Sequence, residues 1–70
     1  MRTSKAQRAT TAAIGPRVVG GTYLSAYWAE TYAVEAITVD GYDWAMTVRW
    51  ADGRTTTHCT AWSKRDRVLA

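Results

Sequence analysis

The sequence predicts an all-β domain of five short strands, and three observations carry that reading. From Trp44 to Ala61, two alternating runs flank Asp52-Gly53, the pattern of a hairpin between half-buried strands. A third alternating run, Thr31 to Val39, ends at a second Asp-Gly pair, Asp40-Gly41. Short strand-like pieces, Val18-Val19 and Arg67-Val68-Leu69, bracket the block, with Gly20-Gly21 and Trp62 to Asp66 as breaks beside them. Strands this short return to pair with one another and close a small sheet into a barrel.

Taken in order, Met1 to Ile14 is rich in Ala and Thr, seeded with charge and without a sustained period. It predicts a disordered or partly helical basic arm over residues 1–16, at most a frayed turn over Ser4 to Ala13. Ser4 is its cap, and β-branched Thr10 and Thr11 oppose it. Gly15-Pro16 punctuates the chain, so the folded domain is expected over residues 17–70. Val18-Val19 opens the first strand, which Gly20-Gly21 bends and Thr22 to Tyr27 continues, with Tyr23, Ser25 and Tyr27 on one face. Trp28 to Glu30 is the connecting loop.

The second strand, Thr31 to Val39, breaks strict alternation at Glu35, which shares a face with Ala33, Ile37 and Val39. A bulge near Glu35 or Ala36 would turn Val34 and Ile37 to the same side. A helical reading competes over Tyr23 to Ile37, where Leu24, Tyr27, Trp28, Thr31, Val34 and Glu35 would form one stripe. The β-branched and aromatic residues from Thr31 onward, and the lack of a stop before Asp40-Gly41, weigh against it.

In the hairpin, Trp44, Met46, Val48 and Trp50 share the inner face. Beyond the turn, Thr55, Thr57, Cys59 and Ala61 read as the semi-apolar side, and Arg54, Thr56, His58 and Thr60 as the solvent side. Trp62 to Asp66 reads as one 3₁₀ turn capped by Ser63, before a last strand at Arg67-Val68-Leu69.

Four stretches, Val19-Gly20, Tyr32 to Ile37, Val48-Arg49-Trp50-Ala51-Asp52-Gly53 and Ser63 to Asp66, together make Arg17 to Leu69 resemble an SH3-like small barrel of the Tudor, chromo-barrel and KOW kind. The resemblance implies five strands with a brief 3₁₀ turn before the last. Asp52-Gly53 stands where Tudor domains carry tyrosine-glycine, so the resemblance does not extend to a methyl-lysine cage. A shared fold licenses no shared function.

Composition narrows the chemistry. The single histidine and single cysteine, His58 and Cys59, are adjacent and so fall on opposite faces of one strand, which prevents a nucleophile–base pair within it. His58 reads as a surface or edge residue and Cys59 as a small buried hydrophobe. No spacing suits a metal, Asp40 and Asp43 read as turn residues, and no cofactor motif is present. A non-enzymatic role is expected. No apolar run nears the roughly 20 residues that span a bilayer, and the apolar part of the first residues is short for a signal-peptide core, so a cytoplasmic protein is expected.

Binding is the remaining class. Four Trp and four Tyr with no Phe mean that every large ring carries a polar atom suited to a half-exposed setting. Charge is segregated: Arg2, Lys5, Arg8 and Arg17 stand without an acid, the middle carries Glu30, Glu35, Asp40, Asp43 and Asp52 against Arg49 and Arg54, and Lys64, Arg65 and Arg67 follow near the end. A nucleic-acid partner is expected to meet Arg2, Lys5, Arg8, Arg17, Lys64, Arg65 and Arg67 through its phosphates and Trp62 through a base. Two alternatives are a peptide partner held by Tyr27, Trp28 and Tyr42, and self-assembly through an exposed edge.

Overall fold

The computed structural model describes residues 5–70, with side chains from Arg8 onward. Helix α1 (Lys5–Ile14) precedes five strands: β1 (Thr22–Ser25), β2 (Glu30–Asp40), β3 (Asp43–Trp50), β4 (Thr55–His58) and β5 (Arg67–Val68). They form one antiparallel sheet in the order β4-β3-β2-β1-β5. Among the described residues, the edge strands β4 and β5 do not pair, so hydrogen bonding does not close the sheet. β5 is two residues long, and irregular chain runs from Cys59 to Asp66, which leaves too little ladder for closure.

The segment expected as a disordered or partly helical arm is, over its described residues, a ten-residue helix that is docked on the sheet. Buried Thr10 donates its hydroxyl to the Gly41 carbonyl at 2.9 Å, tying α1 to the β2–β3 turn. The helix ends as the sequence punctuation implies. Gly15 takes a φ of 64° and donates its N–H to the Thr11 carbonyl at 2.9 Å, the left-handed ending that glycine adopts without steric cost. Pro16 then reverses the chain and brings Arg17 beneath the last turn.

Val18-Val19 is not a strand: both residues are exposed, in a turn closed by the Gly21 N–H on the Val18 carbonyl at 3.0 Å. The reason lies in Tyr23, whose hydroxyl accepts the Val18 N–H at 2.8 Å. Its ring passes so close to Gly21 that an added β-carbon would lie 2.6 Å from Cζ. The strand therefore begins only at Thr22.

From there β1 and β2 settle the helix–strand competition in favour of strands. The bulge lies at Glu35, between the Val34–Val48 and Ala36–Thr47 pairs. It leaves Val34 buried and Ile37 packed against the core, and it frees Glu35 to meet Arg49 at 3.2 Å on the outer face. The core is Tyr23, Tyr32, Val34, Met46, Val48 and Trp50, with Ile14, Ile37, Trp44 and Trp62 packed against it.

The β3–β4 turn sets the register of the last long strand. Trp50 pairs with Arg54 through its N–H at 2.8 Å, and the Gly53 N–H returns to the Trp50 carbonyl at 2.9 Å, Gly53 having a φ of 93°. Three residues, not two, lie in the turn, as in a hairpin that ends in a glycine bulge. One residue of shift exchanges the faces. Thr56 and His58, opposite Val48 and Met46, therefore turn inward and are half-buried, while Thr55, Thr57 and Cys59 are exposed. The expected solvent placement of His58 and burial of Cys59 are both corrected by this register.

Trp62 to Asp66 makes a single turn. The Asp66 N–H donates to the Ser63 carbonyl at 3.0 Å, the Arg65 N–H to Ser63 Oγ at 3.2 Å, and the Ser63 N–H to Asp66 Oδ2 at 2.8 Å. Among the described residues, no helix is long and apolar enough to cross a membrane.

Candidate functional site

Between the β1–β2 turn, the inner faces of β3 and β4, and the Thr60–Asp66 segment lies a cavity of about 340 Å³. Its position follows from two local features. The hairpin register aims His58 inward, and the β1–β2 turn carries Trp28 over the opening. That turn is held by the Trp28 N–H on Ser25 Oγ at 3.2 Å, and it passes through Ala29 with a φ of 54°, a conformation uncommon for a residue with a β-carbon.

The walls are aromatic. Trp28 meets Trp50 edge-on with ring centroids 5.4 Å apart and lies 4.9 Å from the His58 ring, while Tyr27 meets Trp28 edge-on at 5.0 Å. Tyr32 and Trp50 continue the wall at 5.4 Å, above Met46 and Val48. Trp28 is 36% exposed and Tyr27 81%, so both form the rim. The Trp50 indole N–H donates to Thr56 Oγ1 at 2.7 Å, and Thr56 Oγ1 lies 2.6 Å from His58 Nε2. Thr56 Oγ1 thus joins the Trp50 indole to the His58 ring, and the imidazole tautomer sets which of Thr56 and His58 donates.

Arg17 forms the base of the cavity and is only 7% exposed. It was expected to grip phosphates from an arm. Instead Nε donates to the Ile14 carbonyl at 2.9 Å, and Nη2 donates to Ala13 at 2.9 Å and Thr60 at 2.8 Å. Nη1 reaches the Tyr32 hydroxyl at 3.4 Å. The guanidinium also lies 5.6 Å from the ring centroids of Trp44 and Trp62. A cation here satisfies carbonyls that the end of α1 leaves without intrahelical partners, and it complements the negative end of the helix dipole. Burial raises the Tyr32 phenol above its ordinary pKa, against the opposing hydrogen bond and charge of Arg17. It therefore remains a neutral O–H donor at physiological pH.

Two loops are pinned together at the far wall. Asp66 Oδ1 accepts the Ala26 N–H at 2.8 Å while Oδ2 accepts that of Ser63. This fixes the β1–β2 turn against the segment that carries Lys64 and Arg65.

The structure separates the sequence-derived residues by place. Tyr27, Trp28 and Arg65 line the cavity together with Arg17, and exposed Lys64 and Arg67 flank Arg65 in the chain. Among the described residues, Lys64, Arg65 and Arg67 make no ion pair, whereas Arg49 pairs with Glu35, and Arg54 with Glu30 and Asp52. Trp62 is a packing residue, half-buried against Tyr23 at 5.8 Å. Arg8, exposed on α1, and Tyr42, exposed in the β2–β3 turn, do not line the cavity. Arg2 and the side chain of Lys5 lie outside the described residues. Sequence reasoning missed Ser25, Tyr32, Trp50 and His58 as lining groups. Inward alternation was the available signal for the first three, and only the hairpin register could reveal His58.

Compared with family models, curated proteins and solved structures, the chain matches none. The site is therefore read from its own chemistry.

Proposed function

We propose that this chain is a non-enzymatic module, built on an SH3-like barrel framework, that binds single-stranded nucleic acid by taking an unstacked base into the aromatic cavity. The observation that carries the reading is the junction of a cavity walled by Trp28, Trp50, Tyr27 and Tyr32 with three cations around Asp66 that make no ion pair among the described residues, Lys64, Arg65 and Arg67, of which Arg65 lines the cavity itself. Stacking on an aromatic side chain contributes about 1–3 kcal/mol per base and tolerates any base. The adjacent cations then hold the backbone on either side of the bound base. The sheet order supports the barrel framework, since β1 carries β5 on one side and the β2–β3–β4 meander on the other.

The peptide alternative divides on the same geometry. Tyr27 and Trp28 are at the rim but Tyr42 is not, and the two cations in the cavity, Arg17 and Arg65, outnumber its one carboxylate, Asp66, which disfavours a basic side chain, the natural partner of an aromatic cage. The test is fluorescence anisotropy of labelled single strands over a range of salt. Three phosphate contacts give a slope of log affinity against log salt of about −2, from about −0.7 per contact. Trp28→Ala should weaken binding about tenfold at unchanged slope, and reversing Arg65 to Glu should make the slope shallower. Binding unaffected by both changes refutes the site.

A further inference from the structure

We infer that α1 regulates the cavity: docking of the helix and occupancy of the cavity are thermodynamically linked, so a ligand tightens the helix and release of the helix weakens the ligand. Where the ligand is a strand, the inference rests on the nucleic-acid reading above. It comes from how the end of α1 meets the irregular chain between β4 and β5. The Ala13 carbonyl accepts the Trp62 N–H at 2.7 Å as well as Arg17 Nη2 at 2.9 Å, and the same Nη2 donates to the Thr60 carbonyl at 2.8 Å. Gly15 lies so close to Trp62 that an added β-carbon would stand 2.7 Å from Cγ. The last turn of α1 and Arg17 therefore hold Thr60 and Trp62, at both ends of a segment that supplies and continues into the cavity wall of Thr60, Ala61, Ser63, Arg65 and Asp66.

The helix is also the element readiest to leave. Its ten residues are marginal as an isolated helix, and it carries no acid in its first turn and no base in its last to complement its dipole. Its inward stripe is weakly apolar, and Thr10 to Gly41 is its tie at the β2–β3 turn. Elements that bury little apolar surface open locally before the rest of a domain. When α1 leaves, Arg17 loses the Ala13 and Ile14 carbonyls, the Trp62 N–H loses its acceptor, and the Asp66 bond to Ala26 is left to hold the wall across the cavity. A ligand that touches the ordered wall and Arg17 binds the docked state better, and it shifts the helix toward docking by the same factor.

The experiment uses labelled oligothymidylate as the probe and Ala12→Pro as the perturbation. Ala12 is exposed and does not line the cavity, and proline inside a helix breaks it through the backbone. The β2 and β3 signals of a ¹H–¹⁵N spectrum check that the sheet stays folded. Ala12→Pro should weaken the strand roughly tenfold, within the usual range of coupling between two sites. In the parent chain, saturating strand should slow amide exchange of Ala9 to Ile14 by a factor that agrees with that loss to within about threefold, because linkage is reciprocal. Ala12→Gly is the second variant, should Ala12→Pro not fold. With no strand present, it should speed exchange about fivefold at Trp62, whose N–H meets α1, and equally at Ser63 and Asp66, whose N–H groups do not. Full affinity in a folded Ala12→Pro, α1 exchange unmoved by saturating strand, or acceleration at Trp62 alone overturns the linkage while leaving the binding module standing. No binding of the strand at low salt overturns the nucleic-acid reading, and exchange in strand-free Ala12→Gly then decides whether α1 holds the wall.

Discussion

Replacing Arg17 by methionine separates a structural cation from a surface one. Methionine keeps most of the aliphatic length and removes the charge and all five donors. The Ile14, Ala13 and Thr60 carbonyls then lose their guanidinium partner. At about 1.5 kcal/mol, the low end for a bond to a charged group, three part-buried bonds come to about 4.5 kcal/mol. Loss of the Trp44 and Trp62 contacts adds about 0.5–1 kcal/mol each. The variant regains part of the desolvation cost of the cation, which is less than for a fully enclosed ion because Arg17 faces the cavity. A net loss of about 2–3 kcal/mol results, against a total of about 4–10 kcal/mol for a domain of this length. Urea unfolding followed by tryptophan fluorescence should show the midpoint falling by about 2–3 M at a slope near 1 kcal/mol/M. The loss should persist in high salt, because buried interactions are weakly screened. A loss below about 0.5 kcal/mol, or one that salt abolishes, refutes the role assigned to Arg17.

Three further outcomes follow from particular contacts. Gly21→Ala places a β-carbon against the Tyr23 ring and hydroxyl and should cost about 2 kcal/mol or more in chemical denaturation through displacement of a core ring; a neutral result contradicts the close approach. Glu35→Ala removes an ion pair with Arg49 in which both side chains are more than a third exposed, and should change stability by less than about 1 kcal/mol. Because the Tyr32 phenol is raised by burial, the folded state holds that proton more tightly. Its contribution is complete below the unfolded phenol value of about 10 and is lost as pH rises through the folded one. Urea midpoints at alkaline pH should therefore fall less steeply in Tyr32→Phe than in the parent, and identical slopes would contradict the burial.

Which parts of this were legible in the sequence has a physical pattern. The β3 face and the existence of its hairpin follow from alternation around Asp52-Gly53, and the bulge from the one acid, Glu35, that interrupts an apolar face. The pairing register was not legible, because Asp-Gly suits both a two-residue turn and a three-residue turn ending in a glycine bulge, and the choice reverses which side of β4 faces inward. Hence His58 and Cys59 exchanged places.

The docked helix was hidden for a related reason. Its inward stripe is Thr10, Ala13 and Ile14, too weakly apolar to signal burial, and its attachment depends on carbonyls that composition does not show. Arg17 reads as a solvent cation until the turn at Gly15-Pro16 brings it under those carbonyls. At the site, the rim residues Tyr27 and Trp28 were legible from their place where the first strand passes into a loop. Their union with Arg65 required the Asp66 bridge between two distant turns, a contact across 40 residues.

The most direct test of the central claim is a ¹H–¹⁵N correlation spectrum of the full chain titrated with oligothymidylate, read at the indole N–H groups of its four tryptophans. The account predicts that the Trp28 and Trp50 indole signals and the backbone signals of Ala26 and of Ser63 to Arg67 shift together and saturate together, while Trp44, which does not line the cavity, stays in place. Shifts confined to α1 and the Tyr42 turn, or no shifts at saturating strand in low salt, would contradict it.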